Sequence, residues 1–240
     1  MRLPLCAILI LFLVSCGSPS DREATITVPE ESVTQDESSV TPPSTADAPT
    51  SDDSVRIVFL GDSITAGYGL NTESAFPALV GMQLADAGYT VRVIDAGISG
   101  DTSSGGLNRV EWLLQERVDI LVLELGGNDG LRGIDLSLTK SNLGGIIDKT
   151  RQAWTDAEIV LVGMEVPPNL GHEYTTQFAS MYPEVAASHG VKLIPFIGEG
   201  FGAITHLLQN DGIHPTAEGH RIIAERVLAT LEPLVSSLQP

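Results

Sequence analysis

From Val55 onward, short apolar runs rich in Val and Ile alternate with amphipathic stretches, the pattern of repeated β-α-β units. No other feature limits the fold as strongly. Strands that are apolar throughout must be covered on both faces, and helices do this in a parallel sheet. The runs place strands at Arg56–Leu60, Thr90–Ile94, Ile120–Glu124, Ile159–Met164 and Lys192–Pro195. The stretches between them place helices at Ala75–Ala87, Ser104–Gln115, Thr139–Trp154, Tyr174–Ser188 and Thr216–Leu231, with Gly88 stopping the first and Gly190 following the fourth. The expected domain is therefore α/β, a three-layer α/β/α sandwich around a five-stranded parallel sheet with right-handed crossovers.

In such a sheet, ligands bind beyond the carboxyl ends of the strands. The first run ends in Gly61-Asp62-Ser63, a tight turn with a serine at its tip; Asp and Ser also favour a plain helix N-cap. Gly97-Ile98-Ser99-Gly100-Asp101-Thr102 follows the second run and Gly126-Gly127-Asn128-Asp129-Gly130 follows the third, and both read as loops. Asp211-Gly212-Ile213-His214-Pro215 leads into the last helix from a segment that can return to the same edge.

Four widely separated, glycine-bearing turns can thus meet in one crevice. Their side chains match what acyl transfer needs: a nucleophile, a base, a group orienting the base, and donors for an oxyanion. Ser63 is the candidate nucleophile. His214 is the candidate base, because imidazole takes and returns a proton near neutral pH. Asp211, three residues earlier, can reach the imidazole if Gly212 lets the loop fold. Asn128 can donate a side-chain N–H to an oxyanion, and the backbone N–H groups of Ser63 and Gly100 can supply two more. The bland alternative for Asn128 is a left-handed turn residue beside Gly-Gly. Metal-assisted phosphoester hydrolysis is the rival chemistry, with Asp62, Asp101, Asp129, Asp211 and His214 as hard ligands. A non-catalytic binding protein is a third reading, and such a protein has no need of Ser63, Asp211 and His214 together.

Taken together, GDS at 61–63, ISGDT around Gly100, ELGGNDGLRG around Asn128 and DGIHP at 211–215 resemble the GDSL, or SGNH, hydrolase family. ISGDT, ELGGNDGLRG, DGIHP and the Pro167–Gly171…Tyr174 loop are similar to its bacterial arylesterase and thioesterase/lysophospholipase subgroup. The resemblance runs from about Arg56 to about Leu234. It implies a flavodoxin-like sheet of order 2-1-3-4-5, a triad of Ser63, His214 and Asp211, and an oxyanion hole of Ser63, Gly100 and Asn128. It implies no metal and no cofactor, and a small ester, thioester or lysophospholipid as substrate; an acetylated sugar or peptidoglycan ester is the alternative. Many relatives carry an Asn-Ala-Ser type sequence after the second strand, where this chain has Asp95-Ala96-Gly97. The G-x-S-x-G elbow of α/β-hydrolases is absent, because Thr65 stands where its second glycine belongs.

The N-terminus adds a second theme. Arg2 precedes an apolar stretch, Leu5–Val14, which is too short to span a bilayer as a helix and has the size of a signal-peptide core. It ends in Leu13-Val14-Ser15-Cys16-Gly17, which resembles the lipobox of bacterial lipoproteins. That implies a signal peptide over residues 1–15, a lipid on Cys16, and an exported protein held in the cell envelope. More than one acyl chain is needed for stable anchoring. Residues 16–54 read as a lipidated cysteine followed by a disordered acidic linker: nine carboxylates face one arginine there, with no sustained period. A flexible chain of that length reaches about 35 Å. The hydrolase domain is then residues 55–240.

The two cysteines, Cys6 and Cys16, both precede this domain, so disulfides and thiol chemistry are excluded from it. A net charge of −18 argues against nucleic acid as a partner and against adhesion to anionic lipid. Trp112 and Trp154 are expected to pack against the core. His172, His189, His206 and His220 have no evident partner in the sequence.

Overall fold

Val55–Gly61 (VRIVFLG) forms β1, and its alternate side chains serve two cores. Val58 and Leu60 point to one face, while Ile57 and Phe59 point to the other. Beside it lie β2 (Val91–Gly97), β3 (Ile120–Glu124), β4 (Glu158–Val162) and β5 (Lys192–Ile194). All pairings are parallel and the order is β2-β1-β3-β4-β5. The computed structural model describes residues 53–201 and 204–239 of the 240. The signal peptide expected over 1–15, Cys16 and the linker as far as residue 52 lie outside the described residues. No helix among those residues is long and apolar enough to cross a membrane.

Helices α1 (Phe76–Asp86) and α6 (Ala217–Leu238) cover one face of the sheet. Helices α2 (Ser103–Leu113), α4 (Leu136–Ala153) and α5 (His172–His189) cover the other, with a short helix α3 (Gly127–Leu131) after β3. The result is the α/β/α sandwich expected from the alternating runs. All five residues of β3 are buried, as a central strand covered on both sides requires.

Differences from the expected elements have local causes. Strand β2 continues three residues past Ile94, because Asp95, Ala96 and Gly97 stay in register with Phe59, Leu60 and Gly61 of β1. As an edge strand it is only partly buried, so the apolar signal ends before the strand does. The turn at 126–130 is a helix from Gly127 rather than a loop. The last helix runs past Leu231 to Leu238 through Pro233, since Leu234 and Val235 beyond the proline are buried in the core. Trp112 does not pack: it is 71 % exposed, whereas Trp154 lies against the core.

Register places the site. Gly61, the last residue of β1, pairs with Gly97 of β2 and Glu124 of β3. The three strands therefore end level, and the turns that follow them open on one edge.

Candidate active site

Ser63 sits in the turn after β1. The turn is fixed by Asp62, whose Oδ1 accepts the N–H of Ile64 at 3.0 Å, and by N–H groups of Ala66 and Tyr68 bonding back to the carbonyls of Asp62 and Ser63. His214 reaches it from the other end of the domain, 151 residues on: His214 Nε2 lies 3.0 Å from Ser63 Oγ.

The loop carrying His214 is a tight antiparallel turn. Leu208 bridges Pro215, Gln209 N–H donates to the His214 carbonyl at 2.7 Å, and Gly212 takes φ 70° at its tip. A left-handed backbone there suits glycine. Asp211 Oδ2 lies 2.7 Å from His214 Nδ1, and Asp211 Oδ1 accepts the N–H groups of Ile213 and His214. The bond to the His214 ring, then these two N–H groups, lower the Asp211 carboxyl to about 2. A carboxylate on Nδ1 leaves Nε2 as the acceptor for a serine proton.

The third loop contributes Asn128, in the first turn of α3. The left-handed position is taken by Gly126, φ 113°, so Asn128 is a helical residue and not the left-handed turn residue of the alternative reading. Its Nδ2 donates to Asp62 Oδ2 at 3.1 Å. Its neighbour Asp129, fully buried, accepts from Ser103 N, Ser103 Oγ and Thr139 Oγ1, which ties the loop to the starts of α2 and α4. Gly100, in the second loop, is anchored by Arg132 Nη2, which donates to its carbonyl at 2.9 Å. The N–H groups of Ser63 and Gly100 donate to no protein acceptor among the described residues. An arrangement of this kind, with a hydroxyl on an imidazole and backbone and amide donors nearby, suits attack on a carbonyl carbon.

The residues weighed as metal ligands form no single cluster: Asp211 is spent on His214. Asp101 pairs with Arg109, Asp129 holds Ser103 and Thr139, and Asp62 holds Ile64 and Asn128. Among the described residues no three His, Cys, Asp or Glu side chains are grouped to hold a metal.

Several supporting side chains lie beyond the sequence reading. Arg109 on α2 donates Nε to Asp101 and Nη2 to the Gly61 carbonyl, linking the second loop to the nucleophile turn. Gln209 donates Nε2 to the carbonyls of Tyr68 and Pro215, linking the His214 loop to the same turn. Tyr68, by contrast, is expected from its chain position to flank the site, and its ring lies on the His214 imidazole with centroids 4.5 Å apart. Thr65 donates Oγ1 to the buried Glu124 at 2.6 Å. Only Glu124 left a sequence signal, a charge closing an otherwise apolar strand. His220, with no partner evident in the sequence, is buried and accepts the Phe76 N–H on Nδ1.

Comparison with known proteins gives the family and the fold. Residues 59–222 match the GDSL-like lipase/acylhydrolase family. The chain is 43% identical to Esterase TesA of Pseudomonas aeruginosa over 180 residues, 75% of this chain and 89% of that protein. It is 38% identical to thioesterase 1/protease 1/lysophospholipase L1 of Escherichia coli K12 over 181 residues, 75% of this chain and 85% of that protein. A crystal structure of TesA superposes with a TM-score of 0.71, covering 75% of this chain and 99% of that one.

Proposed function

The chain belongs to the GDSL-like lipase/acylhydrolase family and is a carboxylic ester hydrolase, a serine esterase; from that premise we propose that Ser63, His214 and Asp211 are its triad and that Ser63, Gly100 and Asn128 form its oxyanion hole. The observation that carries this reading is the chain of two short contacts, Ser63 Oγ to His214 Nε2 at 3.0 Å and His214 Nδ1 to Asp211 Oδ2 at 2.7 Å.

His214 takes the Ser63 proton as Oγ attacks the ester or thioester carbonyl. The tetrahedral oxyanion is met by the N–H groups of Ser63 and Gly100 and by the Asn128 amide. Collapse expels the alcohol or thiol, which receives the proton from His214, and leaves the acyl group on Ser63. Water, giving its proton to His214, repeats the cycle, releases the acid and restores Ser63. Asp211 holds the imidazole in the required tautomer and stabilises the imidazolium.

The substrate class we propose is a small ester, thioester or lysophospholipid, as the names of the relatives suggest. We further propose that Cys16 carries the lipid anchor of an exported, envelope-bound enzyme, on the strength of the Leu13–Gly17 sequence. Metabolic labelling with an alkynyl fatty acid, lost in Cys16→Ser, tests that anchor.

The functional test is hydrolysis of p-nitrophenyl esters from acetate to palmitate, with Ser63→Ala in parallel. A Ser63-dependent optimum supports the esterase mechanism and measures the acyl pocket. Activity on acetate alone favours a deacetylase. A Ser63→Ala protein with near-normal turnover removes the triad assignment.

A further inference from the structure

Glu124 closes β3 and is 1% exposed. No cation among the described residues pairs with it. Its Oε2 accepts Thr65 Oγ1 at 2.6 Å and Asp62 N–H at 3.4 Å, while its Oε1 is buried with no hydrogen-bond partner among the described residues. The second carboxyl of this pocket, Asp62, is 2% exposed. Glu124 accepts the backbone N–H of Asp62, so two buried carboxyls lie in one region; charge on one disfavours charge on the other, and it settles where donors are aimed. Asp62 has those donors, Ile64 N–H on Oδ1 and Asn128 Nδ2 on Oδ2. Glu124 has the worse site for charge: burial first, then the Asp62 carboxylate, hold its proton well above the usual carboxylate range. Asp62 is raised by burial, against its two hydrogen bonds, only to about 6.

This division bears on the oxyanion hole. An asparagine amide has nearly the same shape either way round, and its partners decide which end is nitrogen. An ionised Asp62 only accepts, so it holds the Asn128 nitrogen towards itself and leaves the second N–H of that nitrogen for an acyl oxygen. A partner able to donate at this position would let the amide turn and present Oδ1, which repels an oxyanion.

We propose that Glu124 and Asp62 form a positioning pair behind the nucleophile: the protonated Glu124 supports the Ser63 turn through Thr65 and the Asp62 N–H, and the Asp62 carboxylate fixes the Asn128 amide in its donating orientation. The proposal rests on the reading of Asn128 as an oxyanion donor. Neither residue touches the reacting atoms; each acts through another.

The experiment measures kcat and KM on p-nitrophenyl butyrate for Asp62→Asn, Asn128→Ala, their double variant, Glu124→Ala and Glu124→Gln, with thermal melts to confirm folding. Asp62→Asn, nearly isosteric but able to donate, is expected to lower kcat about 100-fold while KM moves by less than about threefold. In the Asn128→Ala background the same change is expected to cost less than about threefold, because the residue it positions is gone. Glu124→Ala is expected to lower kcat about tenfold, and Glu124→Gln, neutral and still able to accept from Thr65, to restore most of that loss.

Asp62→Asn losses that multiply with those of Asn128→Ala overturn the positioning role while leaving Asn128 as a donor. An Asn128→Ala enzyme with normal kcat removes the donor reading and this proposal with it. Should Asp62→Asn not fold, the Glu124 variants decide: Gln as damaging as Ala shows that a neutral acceptor is not what this position supplies, and overturns the proposal.

Discussion

One carboxylate, Asp211, does two jobs for His214: Oδ2 lies 2.7 Å from the ring Nδ1, while Oδ1 accepts the backbone N–H groups of Ile213 and His214 itself. The group that orients the imidazole therefore also shapes the loop that carries it. Asp211→Asn separates these jobs, because an amide oxygen can still accept the two N–H groups while its nitrogen faces Nδ1. We expect a kcat loss of about 10²–10⁴-fold with the melting temperature nearly unchanged. Steady-state kinetics beside a thermal melt check it.

Tyr68 contributes through contact. Its ring lies on His214 with centroids 4.5 Å apart and is 51% exposed. An aromatic pair of this kind is worth about 0.5–1.5 kcal/mol. Tyr68→Ala should lower kcat/KM by about 2–12-fold, and Tyr68→Phe should keep most of it. Equal losses in both variants would assign the effect to the hydroxyl instead.

Gly97 meets the nucleophile turn without room for a side chain. A Cβ there falls 2.3 Å from Ala66 N and 2.8 Å from Ala66 Cα, and both are backbone atoms that cannot swing away. Gly97→Ala is expected to destabilise the domain by about 2–3 kcal/mol. At about 2–4 °C per kcal/mol for a domain this size, a melt reads this directly. Turnover should fall as well, since the displaced turn carries Ser63.

His220 predicts a pH dependence of stability. It is 1% exposed, and burial first, then the charge of His214, lower it from 6.5 to about 4. Between those values the unfolded chain binds the proton and the folded chain does not. This contribution is complete above pH 6.5 and disappears as pH falls towards about 4, to a total of up to about 3 kcal/mol. Asp62 and Glu124, raised in the fold, act in the opposite sense, so the wild-type slope alone is ambiguous. The difference between wild type and His220→Gln in urea unfolding at pH 7 and pH 5 isolates the histidine. Wild type should lose its advantage at pH 5.

Much of the fold was legible because its signals are local. β3 appears with the expected bounds since every one of its residues is buried, and β1 and β5 differ by a residue or two. Boundaries slipped where burial is partial, as in edge strand β2, or where packing outweighs propensity, as at Pro233 inside α6. Trp112 is exposed where packing is expected, because an aromatic on an amphipathic helix gives no sign of which side of the stripe it falls on.

The sequence by itself determined the α/β alternation and the chemical identity of Ser63, Gly100, Asn128, Asp211 and His214, since those residue types at strand ends suit acyl transfer wherever they meet. Only the tertiary structure decided that Ser63, His214 and Asp211 sit within hydrogen-bond reach. Strand register brought Gly61, Gly97 and Glu124 level, and the antiparallel turn at Leu208–Pro215 carried His214 to Ser63 across 151 residues. The supporting contacts of Arg109, Gln209, Thr65 and Glu124 were invisible beforehand for the same reason. Arg109 to Gly61, Gln209 to Tyr68 and Thr65 to Glu124 are hydrogen bonds between segments far apart in the chain, and their formation depends on distances that no local pattern of residues encodes.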